Sequence, residues 1–142
     1  MGVEEWVRDR VGDYFGVNPR ELELAQEYPV AAALCHRAAQ QARDEATRRY
    51  PDSAFTNGAG DAFRHAYWNA LMVRAVGSDL AERFADAHEE DPGQPDEQRR
   101  MDLHNNEVGR RIGRIWNRCP EDVVAGEVVR ALNSGQLIVM GQ

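Results

Sequence analysis

The chain has 142 residues, 42% hydrophobic and 29% charged, which is the usage of one globular domain with a closed core and not of a disordered segment. Its 24 acidic residues outnumber 17 basic ones, giving a formal charge of −7, so attraction to phosphate backbones or anionic lipid is weak and no nucleic acid partner is expected. Every basic residue is arginine; without lysine, Schiff-base chemistry, a lysine general base and a lysine-bearing phosphate loop are excluded, and no serine stands in a G-x-S-x-G elbow.

Helix punctuation is frequent and strand punctuation nearly missing, which predicts an all-α protein: a compact bundle of six to seven helices with a short extended C-terminal tail, forming one domain over residues 1–142. A first amphipathic helix covers about residues 3–15 and packs Trp6, Val7, Val11, Tyr14 and Phe15. Asn18-Pro19-Arg20-Glu21 supplies a cap, a proline at the first helical position and an acid at the third, and so opens a short helix. Pro29 opens the next, which runs through an alanine-rich stretch to about Arg49 and completes the N-terminal group of helices. Pro51 to Gly60 reads as a loop.

The motif-bearing core spans about residues 58–117. One helix starts near Gly60 or Asp61 and ends at Gly77, and Ser78 is expected to cap another that ends near His88. EEDPGQP, residues 89–95, combines acids, glycine and two prolines and reads as a mobile surface loop. A long helix from about Asp96 to Asn117 follows, then one from Pro120 to about Asn133. LIVM, residues 137–140, is strand-like or an apolar strap. The two cysteines, Cys35 and Cys119, read as free thiols. The N-terminus lacks the pattern of a Sec-type leader, and no window approaches 18 apolar residues. The expected setting is soluble, in the cytoplasm of the producing cell or exported without a Sec-type signal.

Three segments hold residues that a plain bundle does not need. In Asp61-Ala-Phe-Arg64-His65-Ala-Tyr-Trp68, an advance of about 100° per residue places Asp61, His65, Trp68 and Met72 on one stripe. An Asp one turn before a His can hold its ring in one tautomer and raise its basicity, although a structural pair tying two helices would look the same. In Leu80 to Glu90, spacing puts His88 on the shoulder of the packed face, and Glu89 turns inward only if the helix ends at His88. In Met101-Asp102-Leu103-His104-Asn105-Asn106-Glu107-Val108-Gly109, the apolar stripe is Met101, Val108, Ile112 and Ile115. Arg99, Arg110 and Arg114 cover the far side, and Asp102, Asn105, Asn106, Gly109 and Gly113 run between. Asparagine and glycine inside a helix each cost roughly 0.5–1 kcal/mol relative to alanine, so their concentration here calls for a compensating role, either in a site or in a tight helix crossing.

Facing helices would gather Asp61, His65, His88, Asp102 and Asn106 into one polar pocket. Such a set suits acid–base hydrolysis, with His65 as base, Asp61 orienting it, and Asn105 or Asn106 holding developing negative charge. The alternative is a divalent metal such as zinc, with His65, His88 and Asp102 as candidate ligands. His36 and His104 lack such company and read as plain core or surface histidines.

With these residues in place, D-x-x-R-H-x-x-W (Asp61, Arg64, His65, Trp68), H-E (His88, Glu89) and M-D-x-x-N-N-x-x-G (Met101, Asp102, Asn105, Asn106, Gly109) resemble a helical bacterial domain of unknown function that recurs at the C-termini of secreted and polymorphic-toxin-like proteins. The resemblance covers about residues 50–115, with a looser match before it. It implies that these positions form a shared site and suggests a toxin or secreted-effector setting.

Two readings follow. In the first the chain is a small helical hydrolase acting on a small or polar substrate. Asp61, His65, His88, Glu89 and Asp102 are then catalytic, Arg64, Trp68, Asn105, Asn106 and Gly109 bind substrate, the 89–95 loop serves as a lid, and a cognate immunity or inhibitor protein is an expected partner. Arg64 would clamp an anionic group. In the second the polar strip is a buried network fixing helix register in a non-catalytic interaction module.

Overall fold

The computed structural model describes residues 18–51 and 58–140, so the expected helix over 3–15 lies outside the described residues. Six helices follow in order: α1 Pro19–Glu27, α2 Pro29–Arg49, α3 Ala59–Val76, α4 Ser78–His88, α5 Asp96–Ile115 and α6 Glu121–Asn133. No strand occurs among the described residues, and no helix there is long and apolar enough to cross a membrane. The all-α architecture is as the punctuation predicts.

Local chemistry sets most boundaries. Asn18 Oδ1 accepts from the Glu21 amide at 2.8 Å and Glu21 Oε1 accepts from the Asn18 amide at 3.4 Å, a reciprocal capping box with Pro19 at the first helical position. Pro29 starts α2 in the same way. Gly77, at φ 89°, ends α3 in a backbone conformation that side chains disfavour. The same glycine occupies the N-cap position of α4, so Ser78 is not the cap expected from sequence. It is already inside the helix, and its hydroxyl accepts from Arg114 Nη1 at 3.0 Å.

The central element is α3, buried continuously from Gly60 to Met72 apart from Arg64, and packed chiefly on α5 and α2 with further contact to α4 and α6. Small residues of α2 (Ala32, Cys35, Ala38, Ala42, Ala46) make room for the aromatic groups of α3. Phe63 packs its ring 5.6 Å from that of half-buried Tyr50 and 5.4 Å from that of Tyr67, and full burial of the Phe63 side chain is worth about 1.5–3 kcal/mol of apolar transfer. Between α3 and α5 the crossing is too close for side chains. A Cβ on Gly109 would clash with the Ala66 carbonyl, and one on Gly113 would lie 2.7 Å from the carbonyl oxygen of Ala70.

On α5 the apolar stripe holds for Met101, Val108 and Ile112, but Ile115 is 66% exposed and the half-buried Trp116 packs on the core instead. Arg74 closes this end by donating to the carbonyls of Trp116 (3.1 Å) and Cys119 (2.7 Å). Beyond α6 the chain turns at Gly135 and lies as a strap over α5, with Leu137 buried. Cys35 is buried and Cys119 half-buried, and both are free.

Candidate functional site

One turn of α3 sets the centre of the site. His65 Nδ1 lies 3.0 Å from the Asp61 main-chain oxygen and 3.3 Å from Asp61 Oδ1. A carbonyl only accepts, so Nδ1 carries a proton and Nε2 faces away from the helix, where Glu89 Oε1 and Asp102 Oδ1 each stand 3.6 Å from it. Glu89 reaches this point because α4 ends at His88, the condition under which the sequence places it inward. Asp102 enters from the first half of α5. All four groups are buried, and they line the inner part of an open cleft of about 670 Å³ whose outer wall is the 89–95 loop.

The loop contributes a contact of its own. Gln94 Nε2 donates to Asp102 Oδ2 at 2.8 Å and lies 3.4 Å from Glu89 Oε2, while the Asp91 carboxylate accepts from the Gly93 amide. Asp102 Oδ1, in contrast, is buried and makes no hydrogen bond among the described residues.

Three carboxylates around one imidazole shape the charges. Burial disfavours a charged His65, but the carboxylates of Asp61, Glu89 and Asp102 around it outweigh that cost and raise the ring to about 10. Asp61 is pushed up by burial and pulled down further by His65 and Arg64, to about 2. Glu89 is likewise held below the usual carboxylate range, burial being overcome by His65, His88 and Asn106. Asp102 takes the burden of the like charges: burial, Glu89 and Asp61 raise it to about 6 against the pull of His65.

The other expected site residues divide into two groups. Arg64 and His88 line the same cleft. Arg64 Nη2 is bonded to Asp61 Oδ1 at 2.6 Å, so this part of the guanidinium is engaged with Asp61. His88 Nδ1 faces Glu21 Oε2 at 3.2 Å, and its ring stands edge-on to Trp68 at 5.3 Å. It does not join His65 in the potential ligand group, which is Asp61, His65 and Asp102. Trp68 lies behind the cleft and donates to the Cys35 carbonyl at 3.1 Å. Gly109 serves the helix crossing. Asn105 is turned to the C-terminal strap, where Nδ2 donates to the Ile138 carbonyl (2.9 Å) and Oδ1 accepts from the Ile138 amide (2.8 Å). His36 is buried, and exposed His104 bonds the Gln136 carbonyl at 2.8 Å.

Asn106 supports the site from below. Its Nδ2 is 3.5 Å from Glu89 Oε1 and its Oδ1 accepts from Asn69 at 2.9 Å. Asn69 also donates to the His65 carbonyl (2.9 Å) and accepts from Arg110 Nη1 (2.9 Å), whose other nitrogen reaches Glu107. Arg110 is therefore buried, not on the outer face expected of it, because it extends the Asn106 stripe by one turn. Asn69, Glu21, Gln94 and Arg110 are absent from the sequence reading of the site. Only Asn69 carried a usable signal, the four-residue step Asp61, His65, Asn69.

Fold and site together define a helical protein with a histidine ringed by carboxylates inside an open cleft. A family model described as a domain of unknown function (DUF6973) matches residues 22–136, and the chain belongs to this family. No solved structure matches the chain.

Proposed function

We propose that the protein is a hydrolase that activates water in this cleft. The observation that carries the reading is the placement of His65 Nε2 3.6 Å from both Glu89 Oε1 and Asp102 Oδ1, beside space for a small polar substrate. In this reading a water held among the three groups attacks the substrate, and Glu89, kept ionised by its neighbours, takes the water's proton and passes it to the leaving group. His65 supplies positive charge to the developing anion, with its ring aimed by the Asp61 carbonyl. This exchanges the role of base from His65, as the sequence suggests, to Glu89.

The test is a panel of chromogenic esters, amides, phosphodiesters and glycosides. Wild-type protein is expected to turn over one class, and Glu89→Gln and His65→Gln to lose about 100-fold or more with unchanged circular dichroism. Turnover of no class, or undiminished activity in both variants, refutes the reading.

A toxin or secreted-effector setting, with a cognate inhibitor, belongs to the same proposal and rests on the motif resemblance alone. Growth arrest on cytoplasmic expression, absent with His65→Gln, is its expected signature. The competing reading, an interaction module with a structural polar network, draws support from Asn105, Asn69 and Arg110, whose amides and guanidinium are occupied in tying helices and strap together.

A further inference from the structure

We infer that the site binds one divalent cation, of the manganese or zinc class, through His65 Nε2, Asp102 Oδ1 and the Asp61 carboxylate. The inference rests on the hydrolase reading only for its purpose; the cation site itself stands on geometry.

Four observations point to it. One ligand atom each from Asp61, His65 and Asp102 lies within 4.8 Å of the others, and all three residues are buried. Asp102 Oδ1 belongs to a side chain only 4% exposed, makes no hydrogen bond among the described residues, and is aimed at the imidazole. A buried carboxylate oxygen without a partner is costly, and a cation removes that cost. The Nε2 to oxygen separation of 3.6 Å is too long for a hydrogen bond. It is close to the spacing of two ligands that share an ion: atoms about 2.1 Å from a metal at a tetrahedral angle stand about 3.4 Å apart. Finally, the Nδ1 contact to the Asp61 carbonyl is the outer-sphere arrangement that leaves Nε2 as the donor atom in metal-binding histidines.

The donor set also limits the ion. One imidazole with two carboxylates mixes borderline nitrogen with hard oxygen, which suits manganese and zinc better than calcium or magnesium, and the absence of thiolate removes the softer ions. Glu89 lies outside this trio, with Asn106 and Gln94 as its neighbours, and is left as the proton acceptor. Loading the site would release the Nε2 proton of His65 to solvent, and the bound cation would supply the polarising charge that protonated His65 supplies without it.

The experiment is isothermal titration of the chelator-stripped full chain with manganese and with zinc chloride. One saturable equivalent per chain is expected. Asp102→Asn and His65→Gln should weaken it at least tenfold, while Glu90→Gln, at the exposed rim, should leave it unchanged. Substoichiometric manganese added to isotope-labelled wild-type protein should broaden resonances in a gradient centred on His65 and Asp102, a reading that needs no variant to fold. Absence of saturable binding up to about 1 mM cation, equal affinity in Asp102→Asn, loss in Glu90→Gln, or broadening centred on the exposed rim acids would each overturn the inference. Hydrolysis by a chain that binds no cation sinks only the cation; cation binding by a chain that hydrolyses nothing sinks only the hydrolase.

Discussion

Asp61 holds His65 by its main chain: the carbonyl oxygen of the first stands 3.0 Å from Nδ1 of the second, one helical turn away. The ring is thus aimed by the backbone of α3, and the Asp61 carboxylate, 3.3 Å from the same nitrogen, also pairs with Arg64 and adds charge. With Glu89 and Asp102 beyond Nε2, the imidazole is the positive centre of an acidic cluster.

A pH dependence follows for metal-free protein. The ring is raised from its ordinary 6.5 to about 10 by the neighbouring acids. A folded-state value above the unfolded one gives stability that is complete below about 6.5 and lost as pH rises through about 10. The melting temperature of wild-type protein should therefore fall between pH 7 and pH 10 more steeply than that of His65→Gln. Parallel slopes in the two melts would show that the acids do not hold the proton.

Asp102 and Asn106, one helical turn apart, should respond in opposite ways. Burial and the charges of Glu89 and Asp61 raise the Asp102 carboxyl to about 6, so its ionisation works against folding as pH rises from about 4 to 6. Asp102→Asn should melt no lower than wild type at pH 7 in the absence of metal, as site residues often do when neutralised. Asn106→Ala removes the acceptor for Asn69 and a contact to Glu89, and should cost about 2 kcal/mol or more in urea unfolding. Equal losses in both would place Asp102 in the structural network.

Gly109→Ala tests the helix crossing. The added methyl meets the main chain of Ala66, which cannot rotate aside, so α3 and α5 must separate. A loss of about 1–3 kcal/mol is expected, visible as a drop of several degrees in the melting temperature. A variant as stable as wild type would mean that the crossing has room for a methyl group.

Asn105→Ala should release the C-terminal strap without touching the site. Both polar atoms of its amide are used on Ile138. The Ile138 amide should exchange with deuterium faster, and cation affinity should be unchanged. A large fall in affinity would return Asn105 to the cleft.

Helix boundaries were legible in the sequence because they depend on neighbours along the chain. The capping box of Asn18 and Glu21, Pro29 at the head of α2 and Gly77 between α3 and α4 act through their own backbone. The pairing of Asp61 with His65 was legible for the same reason, since residues four apart on a helix must be neighbours. Adjacent Asn105 and Asn106 were not separable this way. They differ by about 100° around α5, and what faces each direction, the strap for one and Asn69 for the other, is set by chain segments over thirty residues away. Glu21 and Gln94 entered the cleft on the same terms: a cap and a loop residue locally, they become partners of His88 and Asp102 only when α1 folds back on α4 and the 89–95 segment on α5. Short-range geometry dictated the helices and one pair of the cluster, and long-range packing chose its remaining members.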